Sequence, residues 1–338
     1  MNKVSIIGID LAKNVFQLYG ADVDGKQCFS RQLRRSKLLG FLARQPRCMV
    51  AMEACGGAHY WAREVAALGH EVKMMHPRYV KPFVQVHKND QRDAQAIAEA
   101  AARQNIPAVP PKSLDQQDLQ AVHRVRERLV KERTAIGNEL RGLLMEYGQV
   151  IAQGNRAVKT ALPRLLEDAS NGLTPIIRRL LHDLRAQWLA RDEEVASLTR
   201  ELASLSRDND VCRRLQSIPG IGPINATLLY CHAGDVNRFR SGRQFGAYLG
   251  LVPRQHASGG KERLLGISKA GNVHVRKQLV HGARAAYKQL LNAHQPSRLG
   301  EWVQGKTGKH PNKVIVGLAN KLARIIWSLM ARGGVYQP

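Results

Sequence analysis

Val4-Ser5-Ile6-Ile7-Gly8-Ile9-Asp10 is an apolar run that stops on an acid, and Cys48-Met49-Val50-Ala51-Met52-Glu53 repeats the arrangement forty residues on. Each reads as a buried strand with a carboxylate at its end. Between them lie Val15-Phe16-Gln17-Leu18-Tyr19, a turn at Asp24-Gly25 and a helix-like stretch from Lys37 to Arg44. Strand, strand and turn in that order suggest an antiparallel meander. After Glu53, Gly56-Gly57 break the strand. Amphipathic Tyr60 to Leu68 then leads to Glu71-Val72-Lys73-Met74-Met75 and on to Asn89-Asp90-Gln91-Arg92-Asp93-Ala94-Gln95-Ala96-Ile97-Ala98.

The resulting order, βββαβαβα, is the ribonuclease H-like one, in which the strands ending at Asp10 and Glu53 are expected side by side. Asp90 and Asp93 stand three apart on a helix and share a face. Four carboxylates meeting at one edge would repel unless divalent cations neutralise them. Two hard cations about 3.5–4 Å apart are what in-line phosphoryl transfer uses, and Mg²⁺ is the natural candidate. The plainer reading leaves Asp10 and Glu53 as strand ends and Asp90 and Asp93 as a helix cap.

These acids stand in a basic chain. Its 338 residues carry 52 Lys+Arg against 27 Asp+Glu, a formal net charge of +25, which points to a polyanionic partner. With 44% hydrophobic residues the chain supports real cores and is no basic tail. Cys28, Cys48, Cys55, Cys212 and Cys231 show no C-x-x-C spacing, which argues against zinc ribbons and a disulfide framework and fits a reducing cytoplasm. The N-terminus runs straight into a strand, and Val314 to Met330, the most apolar late stretch, is interrupted by Lys321 and Arg324. No membrane segment is expected. At 5% aromatic residues, stacking platforms for single strands are sparse.

A new architecture begins after the stiff segment Ile106-Pro107-Ala108-Val109-Pro110-Pro111. Val122, Leu129, Ile136 and Leu143 repeat every seven residues with Leu119 and Leu140 on the companion row, which Arg126 and Arg133 interrupt. Thr174-Pro175 opens a second such helix, with Ile177, Leu181, Leu184, Trp188, Val195, Leu198, Leu202 and Leu205 in heptad spacing and Arg191 as the break. Antiparallel packing within one chain and a coiled coil joining subunits both satisfy this pattern.

Further on, Leu215-Gln216-Ser217-Ile218-Pro219-Gly220-Ile221-Gly222-Pro223 separates two helical stretches. It reads either as a helix-hairpin-helix turn, with Gly220 and Gly222 letting backbone N–H groups face a phosphate, or as a plain turn needing small residues. Gly250 to Arg263, running into Gly266-Ile267-Ser268-Lys269-Ala270-Gly271-Asn272 and Arg276-Lys277, interleaves glycines with Arg254, Lys261, Arg263, Lys269 and Arg276 as counter-charges for nucleic acid. Ser258 is a nucleophile or a phosphate-binding hydroxyl. A serine nucleophile needs activation, and no base is identified beside it, His256 being assigned to the opposite face of a strand.

Ile7 to Lys13, Met52 to Gly57, Lys88 to Ala94, the Ile-Pro-Gly-Ile-Gly turn and the stretch from Ser258-Gly259 to Asn272 together resemble the DEDD transposases of bacterial insertion sequences, the IS one-ten family in its one-one-one-one subgroup. The resemblance spans nearly the whole chain with the motifs in order. It implies a DNA recombinase with a RuvC-like catalytic domain (residues 1–108), a helical coiled-coil connector (109–207) and a mainly helical C-terminal transposase domain (208–338). By the resemblance Asp10, Glu53, Asp90 and Asp93 match the metal-binding DEDD tetrad. Ser258 matches a nucleophilic serine that forms a transient phosphoserine link to DNA, with Ser268 as competitor. The family is similar in using a structured guide RNA transcribed from the element, so donor and target DNA, that RNA and a homo-oligomer, dimer or tetramer, are the implied partners.

A hydrolytic RuvC-like junction nuclease would keep the tetrad without Ser258 or an RNA. A relative that inverts one fixed DNA segment would look the same in sequence. The twelve histidines are scattered, and His70 and His76 are expected in loops or at the surface. Ile315, Leu318, Leu322, Ile325, Ile326 and Leu329 share a helical face expected in a core, whereas Lys313, Lys321 and Arg324 fit either a nucleic-acid contact or a solvated face.

Overall fold

The computed structural model describes residues 3–84, 90–258 and 261–338, and for Asp90, Ala257, Ser258 and Lys261 the backbone alone. The chain divides into two compact units, 1–113 and 114–338.

In the first unit, β1 (Ile6–Asp10), β2 (Val15–Ala21) and β3 (Gln27–Arg34) form the expected meander. Asp22 Oδ1 accepts the amides of Asp24 and Lys26 at its turn. After α1 (Leu38–Leu42), β4 (Met49–Glu53) lies parallel to β1, with Ile6 facing Met49 and Ile9 facing Met52. The next position along the two strands is therefore Asp10 beside Glu53. Helix α2 (Ala58–Ala67), β5 (Glu71–Met75), the short α3 (Pro77–Val80) and α4 (Asp90–Ala102) follow. With a sixth strand, β6 (Ala108–Val109), the sheet order β3-β2-β1-β4-β5-β6 is mixed and compatible with the ribonuclease H-like class. The proline-rich segment expected as a boundary contributes β6, an edge strand against β5. Arg63 and His59 bind the main chain of Lys112, so the first unit extends past residue 108.

Alternation sorts the side chains between the two faces of the sheet. Ile7, Ile9, Val50 and Met52 pack with Trp61, Ala62 and Val65 of α2, while Ala51 and Ile6 pack with Ala96, Ile97, Ala100 and Ala101 of α4. Asp10 and Glu53, in step with Gly8 and Ala51, fall on the α4 face. Helix α4 comes so close that a Cβ on Gly8 would overlap the Ala94 carbonyl oxygen and stand 2.8 Å from the Ala98 nitrogen. At the other end of α4, Lys73 Nζ donates to the carbonyls of Ala101 (2.7 Å) and Arg103 (2.9 Å), where the helix dipole favours a cation. His70 lies in the loop between α2 and β5, one of its two expected places, but it is buried there, 3.1 Å from the Leu42 carbonyl, and its Nδ1 accepts the Cys48 amide. His76, by contrast, caps α3.

The second unit is helical apart from one hairpin: α5 (Leu114–Glu146), α6 (Asn155–Glu167), α7 (Pro175–Asp208), α8 (Asp210–Leu215), α9 (Pro223–Ala233), α10 (Gly242–Tyr248), β7 (Pro253–Ser258), β8 (Lys261–Ile267), α11 (Val273–Leu291), α12 (Arg298–Gln304) and α13 (Pro311–Arg332). Thr174 and Pro175 open α7 as expected, the Thr174 hydroxyl accepting the Ile177 amide. Arg126 with Thr199, Glu132 with Arg191 and Arg133 with Asp192 pair in opposite chain directions, so α5 and α7 run antiparallel within one chain. The arginines that broke the heptads are the cross-links. Their far end closes over α6 through Leu140, Leu144, Val158, Leu162, Leu181 and Trp188.

The expected division at 207/208 falls inside this unit, because Leu119 and Leu202 share a core with Cys212, Leu215, Leu279, Leu318 and Ile326. Asn209 ends α7 and caps α8. Among the described residues α13 is the helix long and apolar enough to cross a bilayer, yet Ile315, Leu318, Leu322, Ile326 and Leu329 are buried in this core as expected.

Gly8→Ala is expected to destabilise the first unit by about 1–3 kcal/mol, since the main chain of α4 has to move. Gly40→Ala, in α1 with its nearest neighbour atom 4.0 Å away, should be neutral or gain about 0.5–1 kcal/mol from helix propensity. Urea unfolding of the two variants checks the pair, and equal midpoints would refute the close contact.

Candidate active site

Three of the four predicted acids have described side chains. Asp10 and Glu53 end adjacent parallel strands, Asp93 lies in the first turn of α4, and all three are half-buried. The Gly8–Ala94 contact sets that turn against the part of β1 that ends in Asp10. Asp90 is the first residue of α4, one turn from Ala94. The donor chemistry fits a hard divalent cation, which takes carboxylate oxygens. Among the described residues, no three acid, His or Cys groups converge to metal-ligand spacing.

The field of the acids registers on Cys55, two residues past Glu53. Partial desolvation pushes its thiol up from its ordinary value, and the charges of Glu53 and then Asp10 push it further. Sequence alone gives Cys55 as an unpaired cysteine inside the Met52 to Gly57 motif, and its place two residues after Glu53 is the signal for this coupling. Also missed was a cleft of about 620 Å³ lined by Arg34, Arg35, Tyr60 and Trp61, with the Arg35 guanidinium 4.8 Å from the Trp61 ring.

The remaining predicted residues stand in the second unit. Ser258 ends β7 and pairs with Lys261 of β8; residues 259–260 lie outside the described residues, as do Lys88 and Asn89 of the first-unit motif. The reading of His256 is corrected by the two-residue period of a strand, which gives positions 256 and 258 the same face. Arg254, Arg263 and Lys269 are exposed, the first two on this hairpin. The hairpin's base is anchored. The Ser268 amide donates to the Val252 carbonyl (2.8 Å), and a Cβ on Gly250 would overlap the Ala270 carbonyl. Lys269 adopts a left-handed conformation there, φ 54°. The Ser268 hydroxyl accepts the Ala270 amide at 3.4 Å in a local turn.

Two residues expected at nucleic acid are occupied within the fold. Arg276 is 8% exposed, and its Nη1 donates to the carbonyls of Ala270 (2.6 Å) and Leu249 (3.3 Å). Gly220, at φ 81°, lets its turn lie on α11, where a Cβ would overlap the Gly282 carbonyl. Gly222, with open space around it, precedes α9.

A family model of the DEDD transposases, described as "Transposase", matches residues 7–149, the strands and helices that carry the acids. A second, described as "Transposase IS116/IS110/IS902 family", matches residues 212–296, which include the hairpin. The chain belongs to this IS110 family of transposases. It is 44% identical to the "Transposase for insertion sequence element IS1111A" of Coxiella burnetii, over 100% of this chain and 92% of that one. It is 43% identical to the "Transposase for insertion sequence element IS1328" of Yersinia enterocolitica, over 99% of both chains. A "Pilin gene-inverting protein" of Moraxella bovis is 26% identical over 96% of this chain and 95% of its own. Enzymes of the IS110 family cut and rejoin DNA, and the chain is a transposase of an insertion sequence of this kind.

Beside the hairpin, α11 is tied to α5. Glu127 carboxylate oxygens stand 2.6 Å from His274 Nδ1 and 2.7 Å from Lys277 Nζ. Burial works to raise the Glu127 pKa, but the Lys277 hydrogen bond and the charges of His274, Lys277 and Lys131 prevail and hold it below the usual value. His123 is buried, with Nε2 3.0 Å from Thr227 Oγ1. Its pKa is lowered to about 3, by burial first and then by His274 and Arg126.

An unfolded chain therefore protonates His123 near pH 6.5 while the folded one does not. Stability is full above that pH and falls as pH drops toward 3, by at most ~1.4 kcal/mol per pH unit for this group. Urea unfolding at pH 7.5 and 5 should show the loss in the wild type and a smaller one in His123→Gln. Equal losses would show that His123 carries no part of it.

Proposed function

We propose that this transposase cuts and rejoins DNA by phosphoryl transfer, with Asp10, Glu53, Asp90 and Asp93 as the ligands of Mg²⁺ and Ser258 as the nucleophile. The carrying observation is the β1–β4 register, which sets Asp10 beside Glu53 on the face that α4 covers. The cations would supply charge neutralisation at the scissile phosphate and a lowered serine pKa. Ser258 Oγ bonds to the phosphorus as the bond to one DNA oxygen breaks, and the serine proton ends on the released DNA hydroxyl. A second DNA hydroxyl then displaces the serine, so the number of phosphodiester bonds is conserved.

Ser258 is favoured over Ser268 because the Ser268 hydroxyl is engaged in a local turn at the base of the hairpin. Arg254, Lys261, Arg263 and Lys269 contact phosphates around the serine, and Gly222 opens the start of α9 to another, as the second half of a helix-hairpin-helix. Within this reading, residues 1–108 are the catalytic domain, 109–207 a helical connector whose two long helices pair within one chain, and 208–338 the transposase domain of a protein that acts as a homo-oligomer. A structured RNA encoded by the element selects donor and target, and the protein acts in the cytoplasm. The likeness to a pilin gene-inverting protein supports inversion of a fixed segment as a second outcome of the same chemistry.

The test mixes purified protein, Mg²⁺, RNA transcribed from the element's flank and labelled DNA carrying the junction and target. A denaturing gel should show a protein–DNA adduct that Ser258→Ala and Asp10→Ala abolish and Ser268→Ala retains. Cleavage without adduct, indifferent to Ser258→Ala, would instead identify a hydrolytic junction nuclease.

A further inference from the structure

Arg243 of α10, Arg298 of α12 and Lys321 and Arg324 of α13 line one cleft of about 520 Å³ whose lining contains no Asp or Glu. Among the described residues none of the four makes an ion pair. Packing of α10 and of α11 with its neighbour α12 around α13 converges these charges, so they are not the scattered cations of a solvated face. Lys321 Nζ is held 5.0 Å from the Trp302 ring. Partial burial, then Arg324 and Lys306, lower its pKa, as expected where positive charge is concentrated without an answering acid. Such a cleft concentrates anions.

Its wall also includes Trp327 and Tyr336. The Tyr336 amide donates to Ser217 Oγ at 2.8 Å, and Arg214 Nη1 lies 3.5 Å from the Leu329 carbonyl. The C-terminal segment therefore ties one wall of the cleft to the turn before Gly222.

We propose that this cleft seats the phosphodiester backbone of duplex DNA through Arg243, Arg298, Lys321 and Arg324, as a contact separate from the serine hairpin. The proposal rests on the DNA-acting reading of the chain, and DNA is favoured over other polyanions because the family acts on DNA. Guanidinium and ammonium groups that meet phosphates position a duplex without reading bases. The cleft therefore adds affinity that is independent of sequence and sensitive to salt.

Fluorescence anisotropy of the full-length protein with two unrelated labelled duplexes, titrated over a range of salt, tests it. Each phosphate contact contributes about 0.9 to the slope of log affinity against log salt concentration. The Arg243→Ala/Arg298→Ala/Arg324→Ala protein should bind both duplexes more weakly, with a slope shallower by about 2–3. The corresponding Arg→Lys protein should keep the wild-type slope, which separates loss of charge from loss of fold. Removing two arginines elsewhere, Arg179→Ala/Arg200→Ala, should leave it unchanged.

An unchanged slope in the triple alanine variant would overturn the proposal, as would an equal change per arginine in the Arg179/Arg200 control, which would mark a net-charge effect. A loss confined to structured RNA would overturn it in favour of RNA. Absence of salt-dependent duplex binding by the wild type would instead defeat the DNA reading itself, and the cleft with it.

Discussion

The approach of α4 to β1 at Gly8 is the constraint on which the first unit depends. Without a Cβ at this position the helix backbone lies directly on the strand, with the Ala94 carbonyl over Gly8 and small alanines at positions 94 and 98 filling the layer. A larger residue on either side would lift the helix and separate its first turn from the strand ends. The acids are thus held by close packing of small residues beneath them, at a place where mutual repulsion favours separation. Lys73 secures the far end of α4 by donating to the carbonyls of Ala101, in its last turn, and of Arg103, just past its end.

The second unit solves a different problem, that of keeping a strongly basic helical assembly together. Its long antiparallel pair combines two apolar clusters with cross-links between charged side chains, Arg133 with Asp192 and Arg191 with Glu132. Acids are scarce in this chain and are used selectively. Glu127 alone meets both His274 and Lys277 of α11, so one carboxylate ties that helix to α5. Arg243, Arg298, Lys321 and Arg324, which make no ion pair among the described residues, line the cleft between α10, α12 and α13. The serine hairpin projects from a base pinned by main-chain contacts and by the buried Arg276.

Much of this was legible from local pattern. Strand alternation, the Asp24-Gly25 turn and the acids at strand ends identified the meander and the side-by-side strands, because a period of two and a strand-ending polar residue are local signals. The Thr174-Pro175 cap was readable for the same reason. Arg126, Arg133 and Arg191 were misleading as breaks in a heptad because their partners lie about sixty to seventy residues away. The burial of loop residue His70 between the Leu42 carbonyl and the Cys48 amide was not legible, nor was the commitment of Arg276 to main-chain carbonyls, because the partners lie about 6 to 28 residues away.

Sequence by itself therefore determined the element order, the placing of Asp10 and Glu53 at the ends of neighbouring strands, the motif order that marks the family and the excess of positive charge, all of which depend on residue type and short spacing. Tertiary structure decided which charges are used inside and which are offered outside. It set Asp93 against the β1 edge through Gly8, committed Arg276 to the hairpin base, paired the heptad arginines across α5 and α7, and left Arg243, Arg298, Lys321 and Arg324 together. The physical reason is that a charged side chain's role depends on the nearest carbonyl or carboxylate in space, and residues far apart in the chain supply it.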